Sequence, residues 1–364
     1  MEMKRPLSLL LFSLSWGLLL GSCNDRILPA DDDIWAGRNI MFTDPHPNPL
    51  YGGYGPIVTM PLATAVVDSP SVAWGQLLYP PQGGRIVYSR MDDWGRRSIQ
   101  LRDLASGLDQ EVASDDQMYY RFIDEMAALT FDGNTVAYII RTYDTGRLYL
   151  FVSDGSGDTA ALDPDIGDVR GMFFSNDGQF LAVSTIRPGE KENVNIYYQG
   201  YPRQRTAVVD NLIPENLLGE SFNWYSWMPD NSLLYFGYDP YGVKGKEGLY
   251  LAPASGGMPR LIVPGTFSFP TPSPDGSRIA YIRENDLWVM NADGTGQQKI
   301  ISTLQDEYEL IIAPQWSPDG SKIMLFRVIP STIVTMESVM DIVDIRSKRR
   351  KSLRTVLQPG FWLK

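Results

Sequence analysis

The sequence predicts an all-β chain, a six-bladed β-propeller of four-stranded antiparallel blades. Three observations predict it. The tetrapeptide Ser273-Pro274-Asp275-Gly276 returns as Ser317-Pro318-Asp319-Gly320, and related turns end at Gly83, Gly133, Gly178 and Asn231. Aligned on their last residue, these turns recur about every 47 residues, the length of one unit in a repeat architecture. Between them run short alternating apolar segments punctuated by Gly, Asn and Asp, with hardly a helical stretch.

One repeat reads cleanly at its most regular copy. Ser277 to Ile282 is a strand, Asn285-Asp286 a turn, and Leu287 to Asn291 a second strand. Asp293-Gly294-Thr295-Gly296 turns the chain again into an outer strand, Gln297 to Ile301. A further strand, such as Ile311 to Trp316, precedes each signature turn. Four antiparallel strands per repeat make one blade, and the blades fall near residues 72–112, 123–162, 168–209, 220–263, 266–301 and 312–357. In the turn, proline presets φ, aspartate bonds back to backbone amides, and glycine takes the left-handed conformation. Asn231 is the next best residue for that conformation. A bulky residue sits two before each proline or its equivalent: Tyr79, Leu129, Phe174, Trp227 and Trp316, with Pro272 the exception. These are expected to pack between neighbouring blades, so the repeated residues are assigned to the scaffold.

The N-terminus reads differently. Lys4 and Arg5 precede an apolar run from Leu7 to Leu20, too short for an ordinary transmembrane helix and suited to a signal-peptide core. It ends in Leu20-Gly21-Ser22-Cys23, which resembles a bacterial lipobox. That resemblance implies removal of residues 1–22 and lipidation of Cys23, the only cysteine of the chain, which excludes an intrachain disulfide. Asn24 in place of an aspartate points to the outer membrane. Residues 23–60 are expected to be the lipidated cysteine and a tether, from Asp31-Asp32-Asp33, the Pro45 to Pro49 segment and Gly52 to Pro56. Residues 61–364 are expected to form the propeller, with β-prone Ile57 to Val67 adding a strand to the last blade and closing the ring.

The run Leu287 to Gly296 after Ser273-Pro274-Asp275-Gly276 resembles the repeat of TolB-type six-bladed propellers, and propeller domains of prolyl-oligopeptidase-like peptidases carry similar repeats. The resemblance spans residues 72–357 and is strongest over 266–325. It implies a fold more than an activity.

Composition removes several chemistries. A net charge of −11 disfavours nucleic acid. The single histidine, His46, lies in the tether, a poor place for a Ser-His-Asp arrangement. No Gly-Xaa-Ser-Xaa-Gly elbow is present, and zinc or copper would need His and Cys ligands. The expectation is therefore no enzyme, no catalytic residues, no cofactor and no metal. Carboxylates in loops remain as an alternative: Asp92-Asp93, Asp115-Asp116, Asp163/Asp165/Asp168 and Asp306/Glu307/Glu309. A close pair among them would suit a glycosidase or lyase. The Asp163 to Asp168 loop suggests calcium but lacks EF-hand spacing.

Propellers bind through the loops of one face. Here those loops carry Trp94, Tyr119, Tyr120, Arg121, Tyr143, Tyr238, Tyr241 and Tyr308, residue types enriched at interface hot spots. The expected role is a monomeric, lipid-anchored envelope module that presents this face to a protein partner, with glycan binding as the alternative. The basic cluster Arg346 to Lys351 with Arg354 is expected on the opposite face or outer rim, as a solvated edge.

Overall fold

The computed structural model of the chain describes residues 39–43, 55–61, 71, 73–79, 82–115, 121–142, 148–153, 159–163, 168–186, 193–198, 204–209, 225–237, 247–256, 258–302, 310–330, 336–354 and 362 with its neighbour 361. Among the described residues all regular structure is strand. The first sheet contains β1 (Asn39–Thr43), β2 (Gly55–Pro61), β3 (Ala73–Leu77), β4 (Arg85–Met91), β5 (Arg97–Asp103) and β6 (Asp109–Ser114). The second has β7 (Arg121–Leu129), β8 (Val136–Thr142), β9 (Leu148–Ser153) and β10 (Thr159–Asp163). The third has β11 (Asp168–Phe174), β12 (Phe180–Ile186), β13 (Asn193–Tyr198) and β14 (Gln204–Val209), and the fourth β15 (Tyr225–Trp227), β16 (Ser232–Gly237), β17 (Gly248–Pro253) and β18 (Arg260–Pro264). The fifth has β19 (Ser268–Pro272), β20 (Arg278–Arg283), β21 (Asp286–Asn291) and β22 (Gln298–Ile301), and the sixth β23 (Leu310–Trp316), β24 (Lys322–Pro330), β25 (Met336–Asp344) and β26 (Arg350–Arg354). The last strand, β27 (Phe361–Trp362), returns to the first sheet, whose order is β27-β1-β2-β3-β4-β5-β6. The other five sheets are four-stranded meanders.

In the five meanders the signature turn joins the first and second strands, and four of these turns share one hydroxyl–aspartate lock. In the fifth sheet Ser273 Oγ donates to Asp275 Oδ1 at 2.6 Å, the Ser277 amide donates to the same oxygen at 3.1 Å, and the Arg278 amide donates to Ser273 Oγ at 2.9 Å. Thr130 with Asp132, Ser175 with Asp177, and Ser317 with Asp319 repeat this lock. Asn231 takes φ of 62° where the intact copies have glycine, as its sequence position implied.

The sheets pack face to face in chain order, and an apolar core fills each interface. Val87, Ile99 and Leu101 of the first sheet meet Leu129 and Tyr138 of the second. Ile139 and Leu150 meet Phe174 and Leu181, and Ile196 meets Trp227 and Leu233. Phe236 and Leu249 meet Ile279 and Tyr281, and Val289 meets Trp316 and Ile323. The bulky row therefore packs between sheets as expected. Trp227 Nε1 also donates to the Phe173 carbonyl at 2.8 Å, and Trp316 Nε1 to the Thr271 carbonyl at 2.9 Å.

The tether expected over 23–60 is corrected at two places, because β1 and β2 lie inside it and pair along their lengths. Ile57 and Val58 are buried. The apolar run Ile40-Met41-Phe42 is short and hidden between the acidic and proline-rich stretches. Closure also differs from expectation. The N-terminal strands do not extend the last meander; instead β27 pairs with β1, Ile40 opposite Trp362 and Met41 opposite Phe361. Residues 1–22 and Cys23 lie outside the described residues.

Hydrogen bonds from Ser273 and Ser277 hold the Asp275 carboxyl down at about 2. The unfolded value is roughly 3.9, so the ionised turn stabilises the fold fully above about pH 4, and that contribution is lost as pH falls through about 2. An Asp275→Asn protein should lose about 1 kcal/mol at pH 7. Urea unfolding at pH 7, 4 and 2 should show its deficit shrinking only across the acid interval.

Candidate functional site

Antiparallel meanders place their turns on two faces. The first-to-second and third-to-fourth turns share one face and are tied to each other: Leu104 N donates to Gly84 O at 2.9 Å, Ala292 N to Ser277 O at 3.0 Å, and Ile345 N to Ser321 O at 3.1 Å. The other face carries the second-to-third turns and the connections between sheets, where the sequence placed the binding residues. Tyr119, Tyr120, Tyr143, Tyr238, Tyr241 and Tyr308 lie outside the described residues. Arg121 begins β7 opposite Thr142.

Trp94 is described, at the tip of the β4–β5 hairpin, and is 90% exposed. Its support is extensive. Asp92 Oδ1 accepts the Trp94 and Arg96 amides, both at 2.9 Å, which fixes the turn. Arg96 Nη2 donates to Glu111 Oε1 at 3.0 Å and to Ser114 Oγ at 2.5 Å on β6. Arg97 donates from its amide and its Nε to the buried Asp115 carboxylate at 3.1 and 3.3 Å. The hairpin therefore holds a large aromatic ring in solvent on a braced base. Of the loop carboxylates considered for glycoside chemistry, Asp92 and Asp115 serve this bracing. Asp93 and Asp168 are exposed, and Asp163 ends β10. Asp116, Asp165, Asp306, Glu307 and Glu309 lie outside the described residues. Among the described residues no group of three or more His, Cys, Asp or Glu could hold a metal ion.

The basic cluster sits on the β25–β26 turn, on the face expected, and it divides. Arg346, Lys348 and Arg349 are exposed, whereas Lys351 is buried and Arg350 lies 3.6 Å from the buried Asp341. Between the fourth-sheet turns on that same face, Asp230, Asn231, Pro253, Met258 and Arg260 line an open groove of about 500 Å³, floored by Phe180 and Leu251.

Sequence reasoning missed a buried ion pair and a polar–aromatic cluster. Arg327 Nε donates to Asp341 Oδ2 at 2.5 Å within the sixth sheet, and both residues are buried. The detectable signal was a charge inside each of two apolar strands, Lys322–Pro330 and Met336–Asp344. In the fifth sheet Trp288 stacks on Tyr281, centroids 6.4 Å apart, with Arg283 and Lys299 over its ring. Burial pushes the Tyr281 hydroxyl up to about 12, so it stays protonated.

No family model and no curated protein matches the chain. Solved structures do. A puromycin-hydrolyzing peptidase of Mycobacterium tuberculosis is 14% identical, with a TM-score of 0.58 over 89% of this chain and 53% of its own. The β-propeller domain of the Trilobed protease from Pyrococcus furiosus is 13% identical, with a TM-score of 0.53 over 78% of this chain and 85% of its own. TolB from Acinetobacter baumannii is 17% identical, with a TM-score of 0.44 over 73% of this chain and 63% of its own. The chain thus spans about half the length of the peptidase and less than two thirds of that TolB. At these identities the likeness shows the fold, a β-propeller. It also corrects the reading of the chain as no enzyme: peptidases and proteases contain propellers of this build, so the fold gives no ground for that exclusion. Among the described residues no helix is long and apolar enough to cross a membrane.

Removing one partner of the buried pair should be costly. Asp341→Ala should lower unfolding free energy by about 3–5 kcal/mol, because it takes from the buried Arg327 its carboxylate partner, whereas the double replacement Arg327→Met with Asp341→Leu should recover much of that loss. Urea unfolding of the two single variants and the double variant checks both statements. With the fold established, the chain is identified at the level of architecture as a β-propeller.

Proposed function

We propose that the chain is a six-bladed propeller that binds a protein partner through the face bearing its second-to-third turns, with Trp94 as the anchor. The observation that carries this reading is the Trp94 side chain, 90% exposed on a hairpin fixed by Asp92, Arg96 and Arg97. Tryptophan and arginine are the residue types that dominate interface hot spots. A hairpin backbone already fixed at the turn loses little freedom on binding, so more of the contact energy appears as affinity. Arg121 and the six loop tyrosines at 119, 120, 143, 238, 241 and 308 belong to connections at the same strand ends and would widen the surface. Attachment to the envelope membrane through Cys23, at the outer membrane, completes the reading. An acyl anchor would confine the propeller near its partner and raise the local concentration of the pair.

A photo-crosslinking residue placed at position 94 should give a discrete protein adduct in native envelopes. The same residue at position 108, exposed on the other face, should give none. Trp94→Ala should weaken the isolated complex by about 2 kcal/mol or more without moving the thermal midpoint. Equal labelling from both positions, or no protein adduct together with Trp94-dependent retention on a polysaccharide column, would overturn the protein-partner reading. Fractionation tests the anchor: Cys23→Ala should move the chain from the membrane to the soluble fraction, and its retention in the membrane would sink that part.

A further inference from the structure

The fifth sheet contains a donor with nothing to donate to. Trp288 Nε1 is enclosed, and no acceptor lies within hydrogen-bonding distance of it. The other two indoles described at sheet interfaces, Trp227 and Trp316, each reach a backbone carbonyl. An enclosed N–H without a partner is unfavourable, and in native proteins such a group points to a bound water or ion.

The surroundings favour a negative group over water. Trp288 lies on β21 between Tyr281 of β20 and Lys299 of β22, its register neighbours. The Arg283 guanidinium stands 5.8 Å and the Lys299 ammonium 5.4 Å from the ring centroid. Lys299 is paired with Asp286, which is buried. Arg283 has a loose contact with Glu284 at 3.9 Å, and Glu284 is 79% exposed, so that contact neutralises little. Two cations therefore lie over the indole that carries the unused N–H, and one of them, Lys299, is also paired with a buried carboxylate. The Arg283 and Lys299 side chains are 42% and 44% exposed, so both can swing to admit a ligand from the face that carries the Arg283–Asp286 turn.

We propose that this cluster is an oxyanion site, in which a carboxylate or phosphate oxygen accepts the Trp288 indole N–H and the Arg283 guanidinium. Lys299 is then shared between the ligand and Asp286. The arrangement satisfies the orphan donor with a charge-assisted hydrogen bond and balances the excess positive charge. Tyr281 fixes the indole plane from the other side, so the donor is positioned before the anion arrives.

The test uses the full chain labelled with ¹⁵N-tryptophan, with the Trp288 indole signal assigned by its disappearance in Trp288→Phe. Sodium phosphate, sodium sulfate and sodium acetate are titrated at pH 7 and constant ionic strength, the phosphate and acetate arms separating tetrahedral from planar oxyanions. The Trp288 indole proton should shift downfield and saturate with at least one of them. Arg283→Gln should weaken that titration about tenfold, the loss expected for one charged hydrogen bond. Lys299→Gln should weaken it as well, and thermal melts of each variant establish that the fold persists. If Lys299→Gln does not fold, Arg283→Gln decides alone. A shift no larger than that caused by sodium chloride, or an Arg283→Gln titration equal to the parent's, overturns the proposal and leaves a buried water as the partner.

Discussion

The structure depends on a turn that must do two things at once. Within each meander the aspartate has to satisfy the backbone amides that the reversal exposes, and between meanders the same turn has to let its neighbour approach. The contacts show the second demand. Arg85 donates to the Gly133 carbonyl at 3.2 Å, Asn231 to Asp177 at 2.8 Å, and Arg278 to the Gly320 carbonyl at 2.7 Å while covering the Trp316 ring. A Cβ at Gly133 would come within 2.7 Å of the Gln82 carbonyl, on the preceding sheet's turn. Glycine at this place thus serves both the left-handed backbone and the spacing between sheets. Asn231 supplies the first property, and its side-chain amide donates to Asp177 on the preceding sheet's turn.

That coupling explains what the sequence could disclose. A constraint imposed once per repeat leaves a mark once per repeat, so the turns, the strands around them and the aromatic row at Trp227 and Trp316 were all readable. The strand β1 was not, and β2 was read only in part, as the β-prone run from Ile57: the two pair with each other and with β3, but the partner that closes the sheet beside β1 is remote in the chain. Nothing local in Ile40-Met41 announces that Phe361-Trp362 will lie beside it. The candidate site was half readable for the same reason. Trp94 stood out as an aromatic in a loop, but its brace is a set of long-range contacts from Arg96 and Arg97 to β6 and the residue after it. No spacing rule within the hairpin predicts those contacts.

The third strand shows how variation enters a repeat. Opposite Tyr138, Tyr235 and Tyr281 stand Phe151, Tyr250 and Trp288, and all three pairs are stacked. Such pairs contribute about 0.5–1.5 kcal/mol beyond the area they bury. At the matching places of the first, third and sixth sheets stand Gln100, Asn195 and Asp341. Each polar residue has recruited partners: Gln100 reaches Ser98, Asn195 reaches Thr185, and Asp341 reaches Arg327. The position tolerates either solution because it lies between two packed sheets, where a ring fills the space and a polar group is held by a partner on its own or the neighbouring strand.

Trp288 is where the two solutions mix. It fills the aromatic role by stacking on Tyr281, yet it brings an N–H that Phe151 does not have, and the surrounding strands offer that N–H no acceptor. A purely structural position would be served by phenylalanine, with the same stacking and no orphan donor. The indole N–H therefore costs the fold free energy, and Arg283 and Lys299 over its ring give it a use once an anion joins them. Where a repeated position carries more chemistry than its packing requires, the excess marks the place to look for a ligand.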